Sequence, residues 1–85
     1  MMTSTLSTNS LAQRWTTILD GRRLRQLRHE HGLSQDQLAT QAGMSLTTIR
    51  RLERQPTAPC RTRTLSRLAA ALGEDPERLT PATPH

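Results

Sequence analysis

A glycine in the middle of an otherwise helical stretch constrains the fold of this chain more than any other feature. The stretch, residues 35–53, has the sequence QDQLATQAGMSLTTIRRLE, and Gly43 stands at its centre. Glycine is unfavourable inside a helix but adopts a left-handed turn at little cost, because it has no Cβ. Ser45 follows, and serine can accept a hydrogen bond from the first backbone N–H groups of a new helix. The stretch therefore predicts two short helices, residues 35–42 and 46–54, joined by a tight turn.

Two helices joined by so short a turn must pack closely against each other. Ala39 lies four residues before Gly43, where only a small side chain fits between the helices. The apolar residues predicted to fill the angle between them are Leu38, Met44, Ile49 and Leu52. This pattern is typical of a helix-turn-helix. The face of the second helix opposite Ile49 and Leu52 is predicted to be exposed, and it consists of Leu46, Thr47, Arg50, Arg51 and Arg54.

The segments before this motif are also predicted to be helical. The chain has no Phe or Tyr and one Trp, so its core must be built from Leu, Ile, Ala and Met, which favours helices over sheet. A first helix is predicted between Asp20, a good N-cap residue, and Gly32, a common helix-ending residue. Ser34 and Gln37 have the capping-box spacing S-x-x-Q, which opens the next helix.

Two helical segments are predicted after the motif. Thr62 opens a fourth helix that ends at Gly73. Asp75 followed by Pro76 starts a last short turn of helix to Leu79, because proline at the first helical position loses no needed donor. The apolar face of the fourth helix consists of Leu65, Leu68, Ala69 and Leu72.

The ends of the chain are predicted to lie outside the folded domain, which spans residues 20–79. The N-terminal extension, residues 1–19, begins with a stretch rich in Ser and Thr that we expect to be disordered. Residues 80–85 are expected to form a flexible tail.

The second half of the N-terminal extension permits an extra short helix over residues 10–19. Leu11, Trp15 and Ile18 recur there at helical spacing, after a serine that could cap the helix. Trp15 could pack on its own domain, contact a second subunit or bind a partner, and the sequence leaves these three roles open.

Positive charge is concentrated in the middle of the chain. The formal net charge is +5, from 12 arginines, no lysine and 7 acids. Residues 22–67 contain ten of the arginines, opposed only by Glu30, Asp36 and Glu53. Such an excess indicates an anionic partner such as nucleic acid, with a merely solvated basic surface as the alternative. Two interpretations are equally favoured for three residues of the first helix, Arg22, Arg23 and Arg25: contact with a distant phosphate, and simple solvation of the charge.

Catalytic, metal-binding and membrane functions are not predicted. Cys60 is the only cysteine, so we expect no intrachain disulfide and a reducing, cytoplasmic location. It has no nearby base, and the chain has no glycine-rich phosphate loop, so we expect no enzymatic activity and no cofactor. His29 and His31 are two residues apart and thus on different helix faces, which argues against a metal site. The N-terminus lacks the pattern of a signal peptide, and no apolar run is long enough to span a membrane.

The central region resembles the helix-turn-helix domain of the lambda-repressor-like family, the Cro and xenobiotic-response-element type. The resemblance is carried by LRQLRHEHGLSQDQLATQAGMSLTTIRRLER and the following TLSRLAAALGEDPERL, and it covers residues 20–79. It implies an all-α fold, a five-helix bundle whose third helix, residues 45–54 with its cap, enters the major groove of DNA. It also implies binding to a double-stranded operator, commonly as a homodimer.

The resemblance assigns roles to individual residues at matching positions. The base-reading residues would be Leu46, Thr47, Arg50 and Arg51. The phosphate-binding residues would be Gln35, Ser45, Arg54, Arg61 and Arg63, together with the amides that open the second and fourth helices. Arg28 and Glu53 match a pair that the family uses as an internal ion pair.

Some positions depart from the family pattern. Gln55 stands where glycine is common, and the loop over residues 54–61 is about one residue longer than in common members. Leu46 is apolar where many members have a polar residue, so it either touches a thymine methyl or leaves fewer bases read.

The function we expect is a sequence-specific DNA-binding transcriptional regulator, in the first place a repressor. The alternative is an antitoxin-like or coactivator-like protein-interaction module that also binds DNA.

Overall fold

Four α-helices pack around a leucine-rich core in the computed structural model, which describes residues 16–81. A short two-stranded antiparallel sheet closes one side of the described part of the chain. In chain order the elements are β1 (Thr16–Leu19), α1 (Gly21–Glu30), α2 (Gln35–Ala42), α3 (Leu46–Arg54), β2 (Ala58–Arg61), α4 (Thr62–Leu72) and a 3₁₀ turn (Pro76–Leu79).

Local capping interactions set the helix ends where the sequence predicts them. The Asp20 carboxylate accepts a hydrogen bond from the backbone N–H of Arg23 at 3.1 Å, at the start of α1. Ser34 and Gln37 form both bonds of the capping box: the Ser34 hydroxyl accepts from the Gln37 N–H, and the Gln37 side chain accepts from the Ser34 N–H. Gly43 has the left-handed conformation with φ of 69°. The bounds predicted for α2 and α3 are thereby confirmed.

The prediction of an all-α, five-helix bundle is wrong in two respects. The segment Pro76–Leu79 is a single 3₁₀ turn, not a fifth α-helix. The chain also contains a sheet that was not predicted: β1 pairs antiparallel with β2, from Thr16 opposite Arg61 to Leu19 opposite Ala58. Part of the segment predicted as the loop of residues 54–61 is therefore strand β2.

The optional helix over residues 10–19 is contradicted where it can be compared. Residues 16–19 form β1, whereas residues 10–15, with Trp15, lie outside the described residues, as do residues 1–9 and 82–85. Three β-branched side chains in succession, Thr-Thr-Ile, favour an extended strand over a helix. The helical spacing that ended at Ile18 was misleading, because Ile18 is 44% exposed whereas its neighbour Leu19 is fully buried.

The core holds the helix-turn-helix together as its apolar pattern predicts. Leu38 and Ala39 of α2 and Ile49 and Leu52 of α3 are buried in this core, and Met44 of the turn packs against it. Helix α4 packs on α2. The remaining buried apolar residues are Leu19, Leu24, Leu27, Ala42, Ala58, Leu65, Leu68, Ala69, Leu72 and Leu79.

A cluster of polar side chains connects the end of α1 to the 3₁₀ turn. Glu74 lies 2.8 Å from His31 Nε2 through one carboxylate oxygen and 2.8 Å from Arg78 Nη1 through the other. The hydrogen bond with His31, with a smaller contribution from the charge of Arg78, lowers the pKa of Glu74. The carboxylate therefore stays ionised at neutral pH and joins two elements at the periphery of the core.

Gly21 marks the point at which α1 crosses the C-terminal end of α3. Its N–H donates to the Pro56 carbonyl at 3.2 Å, and a Cβ at this position would overlap the carbonyl oxygens of Leu52 and Gln55. Backbone atoms cannot move aside as the tip of a flexible side chain can, so Gly21→Ala would push α1 away from α3.

We expect Gly21→Ala to lower the free energy of unfolding by about 2 kcal/mol. Gly32→Ala is the matched control, because Gly32 has a left-handed φ of 67° but open space around its Cα. That control should lose only the conformational penalty, about 1 kcal/mol. Urea denaturation of both variants measures the difference, and a larger loss for Gly32→Ala would contradict the close contact at Gly21.

Candidate nucleic-acid interface

The turn between α2 and α3 fixes the direction in which α3 projects. The Met44 N–H donates to the Ala39 carbonyl at 3.0 Å, and the Gly43 N–H donates to the Thr40 carbonyl at 3.3 Å. Ser45 then caps α3, because its hydroxyl accepts from the backbone N–H of Thr48 at 3.1 Å. Each of these contacts is local, so the sequence around Gly43 accounts for the geometry of the turn itself.

One side of α3 is buried and the opposite side is free for a partner. Ile49 and Leu52 are fully buried against the core. The exposed side carries Thr47, Arg50, Arg51 and Arg54. Leu46, the remaining candidate for base reading, is half-buried at the start of the helix. The structure thus brings the four base-reading candidates together on α3, and three of them are exposed.

A buried ion pair anchors α3 to α1. Arg28 is 6% exposed, and its Nε and Nη2 donate to the two carboxylate oxygens of Glu53 at 2.6 and 2.9 Å. Its Nη1 donates to the Leu33 carbonyl at 2.8 Å. The planar guanidinium thus uses three donors on well-placed acceptors, a geometry that a lysine could not reproduce. Arg28 and Glu53 are joined within the fold, so neither belongs to the exposed surface.

The first residue of α2 is coupled to this ion pair. Gln35 is half-buried, and its side-chain amide donates to Glu53 Oε1 at 3.1 Å. An amide nitrogen carries two N–H groups, so one remains for another acceptor. Ser45, another phosphate-binding candidate, is exposed, but its hydroxyl is engaged in capping α3.

The remaining phosphate-binding candidates lie where β2 passes into α4. Arg61 is the last residue of β2 and occupies the N-cap position of α4, and Arg63 lies in the first turn; both side chains are exposed. The N-cap residue, Arg61, makes no side-chain hydrogen bond to the first amides of α4. Two cations beside a helix N-terminus form a suitable environment for an anion.

Cys60 lies beside this junction, and the charge of Arg51 on α3 influences its thiol. Burial raises the pKa of the Cys60 thiol, while the positive charge of Arg51 and the backbone N–H of Leu65 act in the opposite direction. The guanidinium of Arg51 is therefore near enough to influence a group on β2. Burial therefore favours the protonated form of this thiol.

Few acids are available to neutralise the exposed arginines. Among the described arginines, Arg28 and Arg78 form ion pairs with carboxylates, and the partners are Glu53 and Glu74. The arginines without a carboxylate partner among the described residues are Arg22, Arg23, Arg25, Arg50, Arg51, Arg54, Arg61, Arg63 and Arg67. This distribution leaves a strongly positive surface that contains the exposed side of α3.

Other types of site are not found in the described part of the chain. Residues 16–81 contain no group of three His, Cys, Asp or Glu side chains arranged to hold a metal ion. No helix within the same residues has the length and apolar character needed to cross a membrane.

Comparison with known proteins agrees with this geometry. A family model described as a helix-turn-helix domain matches residues 21–81. The chain belongs to the helix-turn-helix family. The resemblance to the lambda-repressor-like type is confirmed by that match together with a solved structure, the restriction-modification controller protein C.AhdI from Aeromonas hydrophila. The two chains share 34% sequence identity and superpose with a TM-score of 0.63, over 68% of this chain and 86% of C.AhdI. No curated protein matches the sequence.

Sequence reasoning missed two features of the contact between α1 and α3 in this helix-turn-helix protein. It did not identify Gly21 as a contact point between α1 and α3, although a glycine directly after an N-cap residue is a weak helix former in need of another explanation. It also did not place Arg22 and Arg25 relative to α3, because the distance between two helices depends on tertiary packing. Both features concern the same side of α3.

Proposed function

We propose that this helix-turn-helix protein binds a specific double-stranded DNA operator and represses transcription by occupying it. The observation that supports this most strongly is the exposed side of α3, whose arginines have no carboxylate partner among the described residues. The buried Arg28–Glu53 pair joins this helix to α1. A family match and the similarity to a controller protein support DNA-binding regulation as the class of function.

In this proposal α3 lies in the major groove and reads bases directly. Arg51 donates both arms of its guanidinium to O6 and N7 of a guanine, the commonest specific contact between arginine and DNA. Thr47 contacts a neighbouring base edge and Arg50 reads a flanking one. Leu46, half-buried and apolar, contacts a thymine methyl group.

Phosphate contacts on both sides of α3 fix its position in the groove. On one side Gln35 donates its second amide N–H, with Ser45 and Arg54 beside it. On the other side Arg61 and Arg63 bind the backbone together with the first amides of α4. Such contacts orient a protein on the duplex and carry no sequence information themselves.

The direct test of this function is selection of binding sites from a pool of random duplexes. We expect one enriched motif with two-fold symmetry, because a homodimer presents the same helix twice. Recovery of unrelated sequences without a shared motif would contradict specific binding and favour a protein-interaction module of the antitoxin or coactivator kind.

We expect two chains on each complete operator, with half-sites about one helical turn, or a multiple of it, apart. Among the described residues Ile18 is the large apolar side chain that remains exposed, so little apolar surface is available to hold a free dimer. The protein should therefore be mainly monomeric when dilute and dimerise on DNA. Sedimentation of the complex gives the stoichiometry, and a half-operator that binds a single chain serves as the control. One chain on the complete operator would exclude this assembly.

A further inference from the structure

A second basic surface lies between α1 and α3. It is on the side of α3 that is close to Gln35, the first residue of α2. It consists of two adjoining open grooves of about 710 and 580 Å³, which share Arg25, His29, Glu53 and Arg54 in their walls. One groove extends to Arg22 and the other to Gln35. We call this continuous depression the α1–α3 groove; its exposed basic residues are Arg22, Arg25, His29, Arg50 and Arg54.

The exposed arginines of the α1–α3 groove form no ion pair with a carboxylate of the described residues. Glu53 is the acid in its wall, but its side chain is only 4% exposed and already accepts from Arg28 and Gln35. The neighbouring cations therefore repel one another in a concave site, which attracts an anion more strongly than isolated surface charges do. A ligand with several negative charges spaced along a chain would match this shape.

The position of the groove identifies that ligand. Gln35, the residue proposed to bind a phosphate at the start of α2, lines one end, and Arg50 and Arg54 of α3 line the same wall. A DNA strand that passes Gln35 while α3 occupies the major groove would continue along this wall toward α1. Arg25 and then Arg22 come next in that direction.

We propose that the α1–α3 groove binds the sugar-phosphate backbone of one operator strand, with Arg22 and Arg25 each contacting a phosphate. This inference rests on the proposed function, and it adds α1 to the elements that contact DNA. The structure also distinguishes Arg22, Arg23 and Arg25, for which the sequence favoured phosphate contact and solvation equally. Arg22 and Arg25 line the groove and are exposed, whereas Arg23 does not line it and is half-buried.

Charge removal at matched positions of α1 tests the proposal. The variant is Arg22→Gln with Arg25→Gln, and Arg23→Gln is the control on the same helix. Each affinity is measured on the selected operator and on a scrambled duplex across a salt series. For the double variant we expect affinity for both duplexes to fall by a similar factor, and the slope of log affinity against log salt to decrease by about two units, about one for each phosphate contact. Arg23→Gln should retain the slope of the unmodified protein.

The outcomes also separate this inference from the proposed function. If the double variant and Arg23→Gln have the same slope, the groove does not bind DNA, even if the protein still prefers its operator. If instead the salt slope of the double variant decreases by two units while the unmodified protein shows no base preference, the groove binds DNA, and the proposed sequence-specific regulation is wrong. Thermal denaturation verifies that the variants fold, which we expect because neither Arg22 nor Arg25 forms an ion pair with a described carboxylate.

Discussion

Arg28→Ala should lower the free energy of unfolding by about 3 to 5 kcal/mol, the range measured when one partner of a buried ion pair is removed. The guanidinium is 6% exposed and bonds to both oxygens of Glu53 and to the Leu33 carbonyl. Its removal leaves the Glu53 carboxylate, 4% exposed, without a cation in the interior. The contact between α1 and α3 would then contain an uncompensated charge, which costs far more than the lost attraction itself.

Urea denaturation measures this loss, with Arg22→Ala as the matched control. Arg22 is on the same helix and is exposed, without a carboxylate partner among the described residues. Its removal should change stability by less than about 0.5 kcal/mol. Arg28→Lys should fall between the two, because an ammonium keeps the charge but not the two parallel hydrogen bonds. Equal stabilities of Arg28→Ala and Arg22→Ala would show that the pair does not hold α3 in place.

The helix-turn-helix could be predicted from the sequence because its determinants are local. Gly43 ends α2 in the left-handed conformation, and Ser34 with Gln37 starts it, through contacts no more than four residues apart. The apolar spacing then identifies the buried side of α3, since a helix with Ile49 and Leu52 inside must present Arg50 and Arg51 outside.

The two-stranded sheet could not be predicted in this way, because its strands are distant in the chain. Residues 16–19 become a strand through pairing with residues 58–61. Neither segment has a hairpin turn or a long alternating pattern to indicate its partner. The helical spacing predicted a buried Ile18, but the buried side chain is that of the next residue, Leu19. Neighbouring side chains of a strand point to opposite faces, so an error of one residue exchanges the buried face for the exposed face.

The candidate site was predictable as a set of residues but not as a surface. Periodicity places Thr47 and Arg51 on the outer side of α3, and the structure agrees. The groove that brings Arg25 of α1 beside Arg54 of α3 depends on the angle between the two helices, which Gly21 and the Arg28–Glu53 pair determine. Spacing along the chain carries no information on that angle.

Arg51→Ala should weaken binding to the operator by about 1 to 3 kcal/mol and relax the preference at one base position. The physical reason is that an arginine fork matches guanine O6 and N7, so its loss removes a contact that distinguishes one base pair from the others. Arg61→Ala should behave differently, because a phosphate contact is the same on every sequence. It should weaken operator and scrambled duplex alike and reduce the salt slope by about one unit.

The measurement that tests the central claim most directly is the ratio of operator affinity to scrambled-duplex affinity, determined for Arg51→Ala and Arg61→Ala across one salt series. If α3 reads bases in the major groove, Arg51→Ala lowers this ratio by about 5-fold or more, and Arg61→Ala leaves it unchanged while lowering both affinities. If Arg51→Ala instead lowers both affinities by the same factor and the preferred bases stay the same, α3 is not the reading helix.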